Sequence, residues 1–240
     1  TLENGDSLAL HIFKPRNMQA GEKRPVIVYF FGGGWKLGTP LQFYRECAYY
    51  ASKGMVAVSV DYRIEYLHHS TPFDSFEDAK DAICWLRSHA SDYQLDPDKI
   101  AVAGGSAGGH LAAALGTIGS DEAVNYRPNL SVLYYPVVDM VSRGYGFPEI
   151  KRDFEKISPI HHVSEATPST LILLGTKDPI VSVETIRSYQ DKLLQKGVDC
   201  ELHLFEGAGH PIFLYRKPLT EDYYKVRKLT DDFLKREGFL

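Results

Sequence analysis

Ile100-Ala101-Val102-Ala103-Gly104-Gly105-Ser106-Ala107-Gly108-Gly109-His110-Leu111-Ala112-Ala113 carries a lone serine between an apolar run suited to a strand and an alanine-rich run suited to a helix. Gly104, Ser106 and Gly108 form Gly-x-Ser-x-Gly, and the strand and helix on either side are the context that gives this weak motif meaning. A strand that turns sharply into a helix forces the serine into strained backbone geometry, and glycine on both sides leaves room for the turn. Such a turn raises the hydroxyl above the sheet at a helix N-terminus, whose dipole favours developing negative charge. Ser106 is therefore the nucleophile candidate.

The pattern continues outward in both directions. Strands are expected at Leu8–Phe13, Pro25–Phe31, Val56–Val60, Ile100–Ala103, Leu130–Tyr135, Thr170–Leu174 and Glu201–Phe205. Several are apolar without alternation, as strands buried on both faces of a parallel sheet are. Between them lie helical patterns at Gln42–Lys53, Ser75–Asp92, Ala107–Ile118, Val183–Lys196 and Thr220–Glu237. Gly54, Gly197 and Gly238 follow three of these, where a left-handed cap favours glycine. Asp74 or Ser75, with Asp78, marks an acidic helix start after Pro72. The alternation predicts an α/β fold: one doubly wound, mostly parallel sheet with helices on both faces, in a single domain over 1–240. Val137–Pro168 has no clear period and is expected to be a small flap over the carboxyl edge, in place of a full lid.

Composition narrows the function classes. The chain has 240 residues, 44% hydrophobic and 24% charged, with net charge −4 and scattered basic residues, so no nucleic-acid or anionic-lipid platform is indicated. Cys47, Cys84 and Cys200 suit neither a disulfide framework nor a zinc site. No apolar run approaches the roughly 20 residues that span a bilayer. The chain begins at Thr1 without a signal peptide, which leaves secreted, periplasmic and cytoplasmic placement open. Oligomeric state stays open too, a homodimer among the options.

A serine hydroxyl needs a base within hydrogen-bond reach. After a turn of this kind the partners follow in the order acid, then histidine. His110 lies one turn into the elbow helix and points away, His203 is inside a strand, and His161 and His162 precede the strand that should carry the acid. His210, in Phe205-Glu206-Gly207-Ala208-Gly209-His210-Pro211, follows the last strand and is the base candidate. Asp178, after Leu171-Ile172-Leu173-Leu174-Gly175, is the acid that would hold the imidazole tautomer; Asp191, Asp199 and Glu206 are weaker alternatives. Gly32-Gly33-Gly34-Trp35 directly follows an apolar strand, so the amides of Gly33 and Gly34, with that of Ala107, form a candidate oxyanion hole. Trp35, Tyr62, Tyr135, Phe147, Ile180, Pro211 and Phe213 fall at or near carboxyl-edge loops; Trp35, Tyr135, Phe147, Ile180 and Phe213 are the substrate-binding candidates.

Phe31-Gly32-Gly33-Gly34-Trp35, Asp61-Tyr62-Arg63, Gly104 to Leu111, and Asp178 with His210 resemble the α/β-hydrolase superfamily over essentially the whole chain. Within it the chain resembles the carboxylesterase branch, near hormone-sensitive-lipase-like esterases and bacterial bifunctional feruloyl/acetyl-xylan esterases. The resemblance implies two-step acyl transfer from a small-molecule or polysaccharide ester, with neither cofactor nor metal. It departs at Phe31, where the family usually has a histidine that orients the oxyanion loop; packing of Phe31 must orient it here. The charges of Asp61-Tyr62-Arg63 are expected to tie loops together beneath the site. Two rival readings remain: a prolyl-oligopeptidase-like peptidase, and a non-catalytic binding protein on the same fold.

Overall fold

In the computed structural model, residues 7–119, 126–140, 148–215 and 218–240 are described, with only the backbone for 148–152. The strands are β1 (Leu10–Phe13), β2 (Arg24–Phe30), β3 (Val56–Val60), β4 (Leu95–Gly105), β5 (Leu130–Tyr134), β6 (Ser169–Gly175) and β7 (Cys200–Phe205). Among the described residues they form one seven-stranded sheet in the order β1-β3-β2-β4-β5-β6-β7. Only β1 runs antiparallel, against β3; every other neighbouring pair is parallel. Val26 through Phe30 are fully buried, as are Val56 to Val58, which explains their unbroken apolar runs.

The helices are α1 (Tyr44–Ser52), α2 (Glu65–His68), α3 (Pro72–Ser88), α4 (Ala90–Tyr93), α5 (Ala107–Thr117), α6 (Val183–Gln195) and α7 (Glu221–Arg236). Two starts differ from the sequence reading. The helix expected at Ser75 begins at Pro72, because Thr71 and Asp74 close a reciprocal capping box and proline fits the first turn, where its missing N–H costs nothing. It also stops at Ser88, and Ala90–Tyr93 is a separate turn. The helix expected from Gln42 opens as a 3-10 turn, Pro40–Phe43, before α1. The strand expected from Ile100 begins earlier, at Leu95, which pairs with Arg24 before a bulge; pairing resumes at Ile100.

The described part of the segment 137–168 is anchored to the core. Residues 141–147 lie outside the described region, but Phe154 and Ile157 are buried, and Ile160 N–H donates to the Val138 carbonyl at 3.0 Å. His110, fully buried on α5, donates from Nε2 to the Ile157 carbonyl at 2.7 Å. Burial lowers the His110 pKa to about 4, against a smaller upward pull from that hydrogen bond. Unfolding frees His110 to bind a proton below its ordinary value of about 6.5, so stability falls as pH drops from about 6.5 to about 4. That interval is worth up to about 3 kcal/mol for this one group. Urea unfolding should show a shallower acid decline in His110→Met than in the parent. Equal slopes would disprove the assignment.

The sheet order also locates the functional edge. The chain leaves β2 for β3 on one side and returns to β4 on the other, which opens a crevice at the carboxyl ends of β2 and β4. The loop after β2 begins at Phe31, and β4 ends at Gly105, one residue before Ser106.

Candidate active site

Ser106 has φ 56° and ψ −119°, a left-handed backbone that a residue with a Cβ adopts only under constraint. Strain of this kind costs on the order of 1–3 kcal/mol and persists where the surroundings over-determine it. The surroundings here are tight. A Cβ on Gly108 would lie 2.0 Å from the Phe30 carbonyl oxygen, so α5 can seat against β2 only with glycine at that place. Ser106 N–H donates to the Tyr134 carbonyl at 3.1 Å, which fixes the turn to the end of β5.

Three side chains from three loops converge. Ser106 Oγ lies 2.8 Å from His210 Nε2, and His210 Nδ1 lies 2.6 Å from Asp178 Oδ2. Burial pushes the Asp178 carboxyl up, but the His210 hydrogen bond and the Val181 and Ile180 N–H groups together outweigh it, leaving the pKa below the usual carboxylate value. Those amides reach the second oxygen, Oδ1, at 2.9 and 2.8 Å. An ionised Asp178 only accepts, so Nδ1 of His210 carries the proton and Nε2 is left to accept from the serine hydroxyl. The loops carrying Asp178 and His210 are stitched together: Lys177 N–H donates to the Ala208 carbonyl at 2.9 Å, and Gly207 N–H to Thr176 Oγ1 at 2.8 Å. Asp191, Asp199 and Glu206 are not in this hydrogen-bonded chain.

The loop after β2 supplies donors. Gly33 has φ +149°, and a Cβ there would lie 1.8 Å from the Leu37 carbonyl oxygen, so only glycine closes this turn. Among the described residues no acceptor takes the N–H of Gly33 or Gly34. Ala107, first residue of α5, has no intrahelical acceptor for its own N–H. The loop is held by more than packing of Phe31. The Phe31 ring stacks on Tyr62 at 4.0 Å, the Tyr62 hydroxyl donates to the Phe31 carbonyl at 2.6 Å, and Gly32 N–H donates to Gln42 Oε1 at 2.6 Å. Gln42 and the hydroxyl of Tyr62 had no sequence signal beyond their nearness to the loop. In the Asp61-Tyr62-Arg63 segment, Arg63 pairs with Asp78 at 2.8 Å and with Asp74, binding the segment to α3.

The expected substrate contacts divide. Trp35 is 1% exposed with its ring edge-on to His110 at 5.2 Å, so it packs inward and offers no open platform. Phe213 is 2% exposed between Tyr134 and Tyr223, and Tyr62 is buried under the loop; neither faces solvent. The inward placing of Trp35, Phe213 and Tyr62 has one cause: aromatics at a sheet edge gain more by covering the strand ends than by standing in water. Tyr135 is also buried, at 4%, against His210. Ile180 is 39% exposed beside Asp178, and Pro211 is exposed next to His210. Phe147 lies outside the described residues. Two cavities, of about 490 Å³ beside Asp61 and Trp85 and about 770 Å³ beside Arg24 and Lys53, are not lined by Ser106.

The chain is similar to known esterases in sequence and in fold. The BD-FAE family model matches residues 10–146. Esterase LipC of Mycobacterium tuberculosis is 30% identical over 84% of this chain and 56% of its own length. The acetylxylan esterase of Xylanibacter ruminicola is 25% identical over 80% of this chain and 42% of its own. Esterase Est2 of Thermogutta terrifontis, solved with propionate bound, superposes with a TM-score of 0.92 at 37% identity, covering 99% of this chain and 92% of that one. The chain spans about half the length of the curated relatives it matches.

Proposed function

We propose, from the premise that this chain belongs to the BD-FAE family in the carboxylesterase branch of the α/β-hydrolase superfamily, that it hydrolyses short-chain or carbohydrate-linked esters through an acyl-enzyme on Ser106. The observation that carries the reading is His210 bridging Ser106 Oγ and Asp178 Oδ2 in one hydrogen-bonded line. In the first step Ser106 Oγ attacks the ester carbonyl as its proton passes to His210 Nε2, and Asp178 stabilises the resulting imidazolium. The tetrahedral oxyanion is met by the N–H groups of Gly33, Gly34 and Ala107, each such donor being worth roughly 2.7–4 kcal/mol of transition-state stabilisation. His210 then protonates the alcohol as the C–O bond breaks. Water repeats the sequence on the acyl-enzyme, losing a proton to His210 and releasing the acid and free Ser106.

Acyl length is the next question. The propionate in the Thermogutta terrifontis esterase is a short acid, and the acetylxylan esterase relative acts on an acetylated polysaccharide, so acetyl and similar groups are the preferred acyl donors here. The test is a panel of acetyl, butyryl, octanoyl and feruloyl esters with acetylated xylan, a long-chain triglyceride and aminopeptidase substrates. Acetyl or butyryl esters should give the highest kcat/KM. Faster hydrolysis of triglyceride than of p-nitrophenyl acetate would overturn the short-chain reading, and a preference for peptide substrates would move the chain to the peptidase reading.

A further inference from the structure

Directly after β5 lies a second strained residue that the proposed chemistry leaves unused. Tyr135 has φ +38°, uncommon for any residue with a side chain. Its N–H donates to the Leu173 carbonyl of β6 at 2.7 Å, which helps impose that conformation. The strain turns the side chain into the catalytic edge. Its ring meets the His210 imidazole in a tilted edge contact, with centroids 4.8 Å apart at 64°. The hydroxyl end of the same ring lies against the elbow: a Cβ on Gly105 would stand 2.6 Å from the Tyr135 hydroxyl and 2.8 Å from the ring carbon bearing it. Tyr135 is 4% exposed, so the ring has little surface left for a substrate.

The backbone around it grips the nucleophile as well. Ser106 N–H donates to the Tyr134 carbonyl at 3.1 Å, and Val137 N–H reaches the Ser106 carbonyl at 3.5 Å. One four-residue stretch thus touches the serine through its main chain on both sides and the histidine through its side chain. The Ser106–His210 separation is set by something other than their own hydrogen bond, which must break and re-form during turnover.

We propose that Tyr135 is a positioning residue, a rigid aromatic spacer that fixes His210 against the Ser106 elbow, and that it makes no substrate contact. This rests on the proposed esterase reading of Ser106, Asp178 and His210. A flat ring packed against His210 and, at its hydroxyl end, against Gly105 keeps few degrees of freedom, whereas an aliphatic side chain of smaller reach leaves a gap into which the imidazole can tilt. Misplacement of a catalytic group by about 1 Å costs about a hundredfold in rate.

The experiment compares Tyr135→Phe, Tyr135→Leu and Tyr135→Met with the parent, on p-nitrophenyl acetate and butyrate. Tyr135→Phe, which keeps the ring, should hold kcat within about threefold, since the hydroxyl makes no hydrogen bond among the described residues. Tyr135→Leu should lose roughly tenfold to a hundredfold in kcat, equally on both esters and with KM unchanged. Tyr135→Met fills the space with a flexible chain and keeps the test open where the leucine variant does not fold. A KM change that depends on acyl length would overturn the proposal in favour of a substrate contact. Full activity in the leucine or methionine variant, or a phenylalanine variant no better than these, would overturn it too. The second-order rate of Ser106 labelling by a small fluorophosphonate reads the same positioning without any ester. A slowed label in the leucine variant upholds the spacer even where the parent hydrolyses no ester in the panel, which is how failure of the two ideas is told apart.

Discussion

Ser106→Ala is expected to lower kcat on p-nitrophenyl acetate by about a million-fold and to abolish labelling by a fluorophosphonate, with the fold intact. The magnitude follows from the interdependence of such groups: without the nucleophile, His210 and Asp178 have nothing to activate, and only the oxyanion donors and binding are left. Stability should change little, because among the described residues the Ser106 side chain hydrogen-bonds to His210 alone, while the turn is held by main-chain bonds to Tyr134 and Val137. A thermal melt within a few degrees of the parent establishes that the loss is chemical. Labelling or activity that survives in the alanine variant would remove Ser106 from the reaction.

Asp178→Asn is expected to cost about ten-thousand-fold in kcat while leaving the architecture in place, a magnitude taken from the equivalent change in a chymotrypsin-type protease. The reason is the direction of one proton. The carboxylate accepts from Nδ1 of His210 at 2.6 Å, so Nε2 presents a lone pair to Ser106. An amide with its NH2 toward the ring reverses this: Nδ1 then accepts, Nε2 carries the proton, and the base cannot take the serine's. Asparagine keeps a carbonyl oxygen able to hold the Ile180 and Val181 N–H groups, so the loop need not collapse as it would with alanine. Steady-state kinetics with circular dichroism on the same sample checks both halves. Activity within tenfold of the parent would mean that Asp178 does not set the tautomer.

Both expectations rest on residues whose positions could be read along the chain. The elbow, the glycine run after β2, Asp178 and His210 each sit within a few residues of a strand's carboxyl end, and the parallel sheet brings those ends to one edge. The element boundaries were less legible. Pro72 was read as lying before its helix, yet Thr71 caps it from outside and Pro72 begins it. That choice depends on a side chain reaching back three residues, which hydrophobic periodicity does not report.

Side-chain direction was the least legible feature. Trp35, Tyr135 and Phe213 are aromatics on edge loops, and such residues serve equally as walls of a pocket or as plugs over the core. Here all three pack inward: Trp35 meets His110 and Tyr135 meets His210, each 75 residues away, while Phe213 lies between Tyr134, 79 residues before it, and Tyr223, ten after. Gln42 went unnoticed for a related reason: a glutamine ten residues past Gly32 looks like any surface amide until the 3-10 turn at Pro40–Phe43 aims it at the Gly32 N–H.

Local sequence already carries the alternation of strand and helix, the elbow at Ser106, and the placing of Asp178 and then His210 after later strands. These are local properties, since strain and close approach demand particular residues within a few positions of the turn. The three-dimensional packing alone shows that Tyr62 and Gln42 hold the glycine loop after β2, that Trp35 and Phe213 face inward, and that Tyr135 packs on both His210 and Gly105. Those outcomes depend on which distant rings and carbonyls share a space, and packing energies of that kind leave no periodic mark along a chain.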